Sequence, residues 1–110
     1  MAQTDALGEF EHHVLLAALR LGDNAFTAPI VEELEERTHR SVAPAAVYIA
    51  LRRLEKKGLV RSRLRTDESA GAKRERRFVA VTAAGRETLL RARTNFEELW
   101  AGLDLMSEEG

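Results

Sequence analysis

The chain has 110 residues, no cysteine, 32% charged residues and a net charge of −1. That length suits one small domain with a modest core, and the lack of cysteine excludes disulfides and thiolate metal sites. No apolar run approaches the roughly 20 residues needed to span a bilayer, and the opening MAQTDALGEFEHH lacks the basic-then-apolar layout of a signal peptide, so a cytoplasmic protein with no membrane partner is expected.

The near-neutral total conceals a partition. Residues 1–40 carry three basic and eight acidic residues, a balance of −5. Residues 41–94 carry fourteen basic and five acidic residues (+9), and residues 95–110 carry five acids and no base (−5). A phosphate backbone responds to the local field, so the middle segment is the one to examine for nucleic-acid binding.

Leu7 to Leu21 reads as a first helix, closed by Gly22-Asp23-Asn24. Leu7, Phe10, Val14, Ala17 and Leu21 form one stripe, and Leu15, Leu16 and Leu19 occupy most of the remaining circumference. A helix this apolar must be covered on more than one side, and a second subunit is a natural source of the extra cover. A second helix is expected from Thr27, as its cap, to about Arg37. Pro29 is harmless in the first turn. Ile30, Val31 and Leu34 point inward, and Glu32, Glu33, Glu35 and Glu36 make a solvated acidic face that supports the next helix rather than reading bases.

After the connection Thr38–Val42, a third helix runs from Pro44 to Lys57 and stops at Gly58. Val47, Ala50, Leu51 and Leu54 share one side of a 3.6-residue period. Opposite them lie Ala45, Ile49, Arg52 and Lys56, flanked by Tyr48 and Arg53. One buried face and an opposite face of small residues, an aromatic and cations suit the major groove of DNA.

Leu59–Thr66 alternates as a strand, with Arg61, Arg63 and Arg65 on one face and Val60, Ser62 and Leu64 on the other. Asp67–Arg74 is a flexible turn and Arg76–Val81 the returning strand, giving a basic hairpin with Lys73 and Arg74 near its tip. Thr82 caps a last helix expected to reach Met106, roughly 37 Å at 1.5 Å per residue. Leu89, Phe96 and Leu103 recur every seventh residue, with Ala92, Leu99 and Met106 at the complementary offset. This is a heptad seam that outruns its own domain and pairs with another chain. The fold class is therefore mainly α with a small β-hairpin: a winged helix-turn-helix at 1–81 plus a C-terminal dimerisation helix at 82–110.

The residues now resemble a known family, the PadR-type transcriptional regulators. The similarity runs from Gly8 to about Leu103 through GEFEHHVLLAALRLG (8–22), VEELEERT (31–38), APAAVYIALRRLEKKGLV (43–60) and RRFVAVTAAGRETL (76–89). The third stretch is the most specific, and the length matches the subfamily whose C-terminal part is a single helix. The resemblance implies a homodimer, a wing that tracks phosphates, and repression of an adjacent gene or operon, which some members relieve on binding a small aromatic or multidrug-like ligand. Ala25-Phe26-Thr27 stands where the family often has A-Y-G, Ala43 where it has Ser or Thr, Ala45 where Gly is frequent, and Ile49 where Pro is frequent. None of these changes removes a charge, so they bear on which operator is read rather than on whether DNA is bound.

On this reading Ala45 permits close approach to the groove, Ile49 touches thymine methyls, and Arg52 makes a bidentate guanine contact. Tyr48 bonds a phosphate, and Ser41 and Pro44 at the helix entry belong to the same surface. Arg53, Lys56 and Lys57 are phosphate contacts or solvated charges. Arg63, Arg65, Lys73, Arg74 and Arg76 supply sequence-independent attraction from the wing. The expected dimer interface comprises Phe10, Val14, Ala17, Leu89, Ala92, Phe96, Leu99, Trp100 and Leu103. Phe96 and Trp100 either line a site for an aromatic effector or simply pack the seam. His12 and His13 follow Glu9 by one turn, but adjacent helical residues point about 100° apart, so neither a metal site nor another cofactor is expected. No triad, phosphate-cradling loop or carboxylate pair suggests an enzyme. The partner expected is double-stranded DNA with a two-fold symmetric site. A winged-helix module that binds protein is the alternative, and the basic surplus of the third helix and wing is what separates the two.

Overall fold

A computed structural model describes residues 7–68, 71 and 73–106. Residues 1–6 and 107–110 lie outside it, as do 69, 70 and 72 of the expected Asp67–Arg74 turn. The elements follow as helix α1 (Glu9–Leu21), a single 3-10 turn (Gly22–Asn24), α2 (Thr27–Thr38), α3 (Pro44–Lys56), strands β1 (Val60–Asp67) and β2 (Arg74–Val81), and α4 (Ala83–Trp100). The molecule is mainly helical with one antiparallel hairpin, the winged helix-turn-helix that the periodicities imply. Among the described residues no helix is long and apolar enough to cross a membrane.

The core is built where three amphipathic helices and the base of the hairpin converge. Val14, Leu15 and Ala18 of α1 meet Ile30 and Leu34 of α2 and Val47, Ala50, Leu51 and Leu54 of α3. Leu59, Val60 and Val79 close it from the hairpin, and Leu89 from α4. Val14, Ala17 and Leu89, expected between subunits, are buried in this intramolecular core, at 0%, 3% and 7% exposure. The correction has a simple cause. A stripe on a helix does not reveal whether its own chain or another one covers it, and here α2, α3 and the hairpin arrive first.

The α3 terminus is a Schellman motif. Gly58 sits at φ +77°, Leu59 N–H donates to the Leu54 carbonyl at 2.9 Å, and Gly58 N–H to that of Glu55 at 2.9 Å. The chain then enters β1, which pairs with β2 in a register from Val60↔Val81 to Asp67↔Arg74. Thr82 caps α4 by accepting from Gly85 N–H at 3.0 Å, while its own hydroxyl donates to the Gly58 carbonyl at 2.7 Å. Gly85 lies so close to the hairpin base that a Cβ there would stand 2.3 Å from the Leu59 carbonyl oxygen. The start of α4 is thereby fixed to the end of α3.

Several element boundaries differ from expectation: α1 starts at Glu9 rather than Leu7, and β1 runs to Asp67 and β2 starts at Arg74, so both ends of the expected turn are paired strand. Thr27 is the first residue of α2 rather than its cap. Phe26 takes the cap position in extended backbone, with no side-chain hydrogen bond. The last helix stops at Trp100, six residues short of Met106. Ala101 (φ −56°, ψ 131°) and Gly102 (φ +84°) form a turn closed by Leu103 N–H donating to the Trp100 carbonyl at 2.9 Å. This is a type II turn, whose third position calls for glycine. Leu103 and Met106 therefore fall outside the helical seam that their spacing suggests.

Candidate nucleic-acid interface

Helix α3 buries Val47, Ala50, Leu51 and Leu54 and turns Ala45, Tyr48, Ile49, Arg52, Arg53 and Lys56 to solvent. Pro44 occupies the first helical position and is exposed, as is Ser41 in the connection before it. That connection is held by Glu35, whose carboxylate accepts from Val42 N–H at 2.9 Å. Glu35, expected as plain solvated charge, thus helps to set the angle at which α3 leaves α2.

On the open face Arg52 lies against Tyr48 one turn back. Its Nη1 donates to the Tyr48 hydroxyl at 3.1 Å, and its Cζ stands 5.9 Å from the ring centroid. The hydroxyl accepts from Arg52 and keeps its own proton to donate. Tyr48, Ile49, Arg52, Arg53, Glu55 and Lys56 line one side of an open groove of about 790 Å³, and Arg77 of β2 lines the other. Arg77 is not among the residues expected at this surface. The signal was the hairpin's alternation: Arg77 pairs with Leu64 and Val79 with Ser62, which puts Arg77 on the face turned to α3. Arg77 Nη1 donates to Ser62 Oγ at 3.2 Å, and Ser62 Oγ donates to Glu55 at 2.9 Å.

The opposite face of the hairpin is not the solvated arginine row that alternation suggests. Arg65 lays its guanidinium over the Phe78 ring at 3.8 Å and donates to the Asp23 carbonyl at 3.2 Å. Arg76 stands 4.9 Å from the Phe26 ring and donates from Nε to Asp67 at 2.8 Å. These two arginines, expected as free phosphate attractors, are drawn inward because Phe78 occupies their face. Arg63, Lys73 and Arg74 are exposed, with Arg74 opposite Asp67 in the ladder. The Val60, Ser62, Leu64 face is buried only at its base: Leu64 is 53% exposed because the outer hairpin extends past the core.

Lys57 also departs from its expected role. Its ammonium reaches back to Glu11 of α1 at 2.6 Å, away from the groove. Glu11 accepts in addition from Gly8 N–H at 3.2 Å. Burial pushes the Glu11 carboxyl upward, but the Lys57 hydrogen bond, the Gly8 N–H and the charges of Lys57 and Arg53 outweigh it and leave its pKa below the ordinary 4.5. Burial next to His13 holds the His12 imidazole below its ordinary 6.5. Among the described residues no group of three His, Cys, Asp or Glu side chains gathers to hold a metal ion.

Beyond the core, α4 presents Phe96, Leu99 and Trp100 to solvent at 58%, 71% and 52% exposure. Leu90 on α4 and Leu16 on α1 are exposed apolar residues absent from the expected interface. Leu16 borders a mainly apolar surface cleft of about 370 Å³ between α1 and α2, which Leu19 and Leu34 also line.

This arrangement has known counterparts. The model of the transcriptional regulator PadR-like family matches residues 15–91. Similar solved structures include a PadR-like transcription factor from Bacteroides fragilis, 21% identical over 82% of each chain with a TM-score of 0.68. A PadR-family transcriptional regulator from Eggerthella lenta is 22% identical over 88% of this chain and 82% of that one, with a TM-score of 0.66. A Streptococcus transcriptional regulator is 17% identical over 90% of this chain and 92% of that one, with a TM-score of 0.71. No curated protein sequence matches the chain significantly. At these identities the solved structures attest the fold, and the family model attests the kinship. The chain belongs to the PadR-like family and is a DNA-binding transcriptional regulator, not an enzyme.

Proposed function

We propose that this regulator acts as a homodimeric repressor of a neighbouring operon, binding a two-fold symmetric duplex site and releasing it when a small aromatic ligand binds. The observation that carries the reading is the exposed face of α3, where Arg52, Arg53 and Lys56 stand beside Tyr48 and Ile49 with no acidic cover from α2. Helix α3 enters the major groove, Ala45 and Ile49 approach base edges, and Arg52 contacts guanine. Ser41, Pro44, Tyr48, Arg53 and Lys56 border the backbone, and Arg63, Lys73 and Arg74 extend the contact along the wing. Residues 1–81 form the DNA-binding unit and 82–110 the dimerisation segment. Phe96, Leu99 and Trp100, with Ala92 before them and Leu103 after, pack against a second copy together with Phe10 of α1. The Leu16, Leu19 and Leu34 cleft takes part of the partner's apolar surface. The effector stacks on Phe96 and Trp100 at the dimer centre.

Selection of bound duplexes from a random pool tests the symmetric site, and a salt titration tests the chemistry. Six to ten neutralised phosphates per dimer give a log–log slope on the order of −5 to −9. A slope near zero on every duplex would overturn DNA binding by this surface and favour a protein partner instead. Quenching of the single Trp100 by aromatic compounds tests the effector site, and a flat response across a broad panel would remove it.

A further inference from the structure

The hairpin divides its arginines between two faces with different surroundings. On the face toward α3, Arg77 is exposed beside Arg52, and one hydrogen bond to Ser62 Oγ at 3.2 Å holds it. Ser62 in turn donates to Glu55, so the Glu55 carboxylate in the groove is engaged by the same hydroxyl to which Arg77 donates. A guanidinium carries five N–H donors in a planar fork, which leaves Arg77 donors directed into a groove that Arg52, Arg53 and Lys56 already make cationic.

On the other face four side chains stack in the order Arg65, Phe78, Phe26, Arg76. The two rings are 4.8 Å apart and inclined at 60°, with Arg65 at 3.8 Å from the first and Arg76 at 4.9 Å from the second. Both ends are tied off, Arg65 to the Asp23 carbonyl and Arg76 to Asp67. Asp23 lies in the turn after α1 and Phe26 immediately before α2, so the stack binds both hairpin strands to the α1–α2 corner. The backbone adds one bond of the same sense, Val79 N–H donating to the Ala25 carbonyl at 2.9 Å. Together with the Ser62–Glu55 hydrogen bond to α3, these ties fix the direction in which the hairpin projects.

We propose that Arg77 is a further phosphate-binding residue of the α3 groove, whereas Arg65 and Arg76 are positioning residues that aim the wing through Phe78 and Phe26 and touch no phosphate. The proposal rests on the groove reading above.

The test measures affinity and salt dependence together, on a fluorescently labelled duplex of mixed sequence long enough for both protomers. Each phosphate contact contributes about 0.9 to the slope. R77A therefore flattens the dimer's slope by about 2, and R77K, which keeps a point charge, retains it. R65Q weakens binding several-fold while leaving the slope at the wild-type value. R65K fails to rescue it, because an ammonium cannot lie flat on Phe78. A wild-type slope in R77A overturns the assignment of Arg77. A flattened slope or unchanged affinity in R65Q, or recovery in R65K, overturns that of Arg65. If the wild-type protein itself shows no slope, it is the groove reading that fails.

Discussion

At the scale of single residues, backbone contact decides more than charge. Gly85 lies in the first turn of α4, where its missing Cβ lets the helix approach the Leu59 carbonyl. In the G85A variant a methyl group would meet that oxygen at 2.3 Å and Val81 Cγ1 at 2.8 Å. The oxygen belongs to the segment that the Schellman motif fixes, so it cannot yield cheaply. The variant is expected to lose about 1–3 kcal/mol, read as a lower urea midpoint, and an unchanged midpoint would refute the close approach. The Glu11–Lys57 pair gives a second residue-scale prediction. A carboxyl held below its ordinary 4.5 contributes stability that is complete above that value and fades as pH falls through the folded one. E11Q should cost about 1–3 kcal/mol at neutral pH, and its deficit against the wild type should shrink on acidification within the carboxylate range. His12 acts with the same sign at higher pH. Its imidazole is held below 6.5, so the unfolded chain binds the proton first and stability declines as pH drops below about that value. Replacing His12 with Gln should remove that first decline from a plot of urea midpoint against pH. Neither partner of the ion pair announces it in the sequence. Forty-six positions separate Glu11 from Lys57, and both read as ordinary surface charges until α1 and α3 pack.

At the scale of elements, local chemistry and tertiary contact divide the legibility. The span of α3 is written in Pro44, the apolar period and Gly58, and its outward face follows from that period alone. The hairpin is written in strict alternation, but alternation gives two faces without saying which is inner. Phe78 settles that by drawing Arg65 and Arg76 inward, and the same phase places Arg77 in the groove. The heptad spacing of α4 is equally real and equally incomplete, because it passes over Gly102, whose positive φ closes a turn. Thr82 shows how one residue joins two elements. Its hydroxyl accepts from Gly85 N–H within α4 and donates to the Gly58 carbonyl at the end of α3. T82A loses both the cap and this anchor and is expected to cost about 1–2 kcal/mol. T82S keeps the oxygen and should recover most of that loss in the same urea titration. Failure of serine to recover it would show that the methyl group, not the hydroxyl, matters here.

At the scale of the whole molecule, the α3–α4 junction would link the proposed assembly to recognition. Because α4 starts where α3 ends and is fixed to it by Thr82 and Gly85, whatever pairs two copies of α4 also sets the separation and tilt of two copies of α3. Half-sites about one helical turn apart, roughly 34–36 Å, are what such a rigid pair can read. The proposed pairing surface is separate from the core: Leu99 is 71% exposed, whereas Val14, Leu15, Ile30, Val47 and Leu54 are fully enclosed by their own chain. L99D should therefore leave the fold standing while disrupting the pair, since a carboxylate in an apolar seam is strongly disfavoured. The expected result is a monomer by sedimentation with the wild-type far-ultraviolet circular dichroism, and a salt slope about half that of the dimer, on the order of −2.5 to −4.5. A variant that still sediments as a dimer would place the interface elsewhere than α4. A monomer that keeps the full slope would show that one copy alone makes every phosphate contact, and the symmetric site would then lose its physical basis.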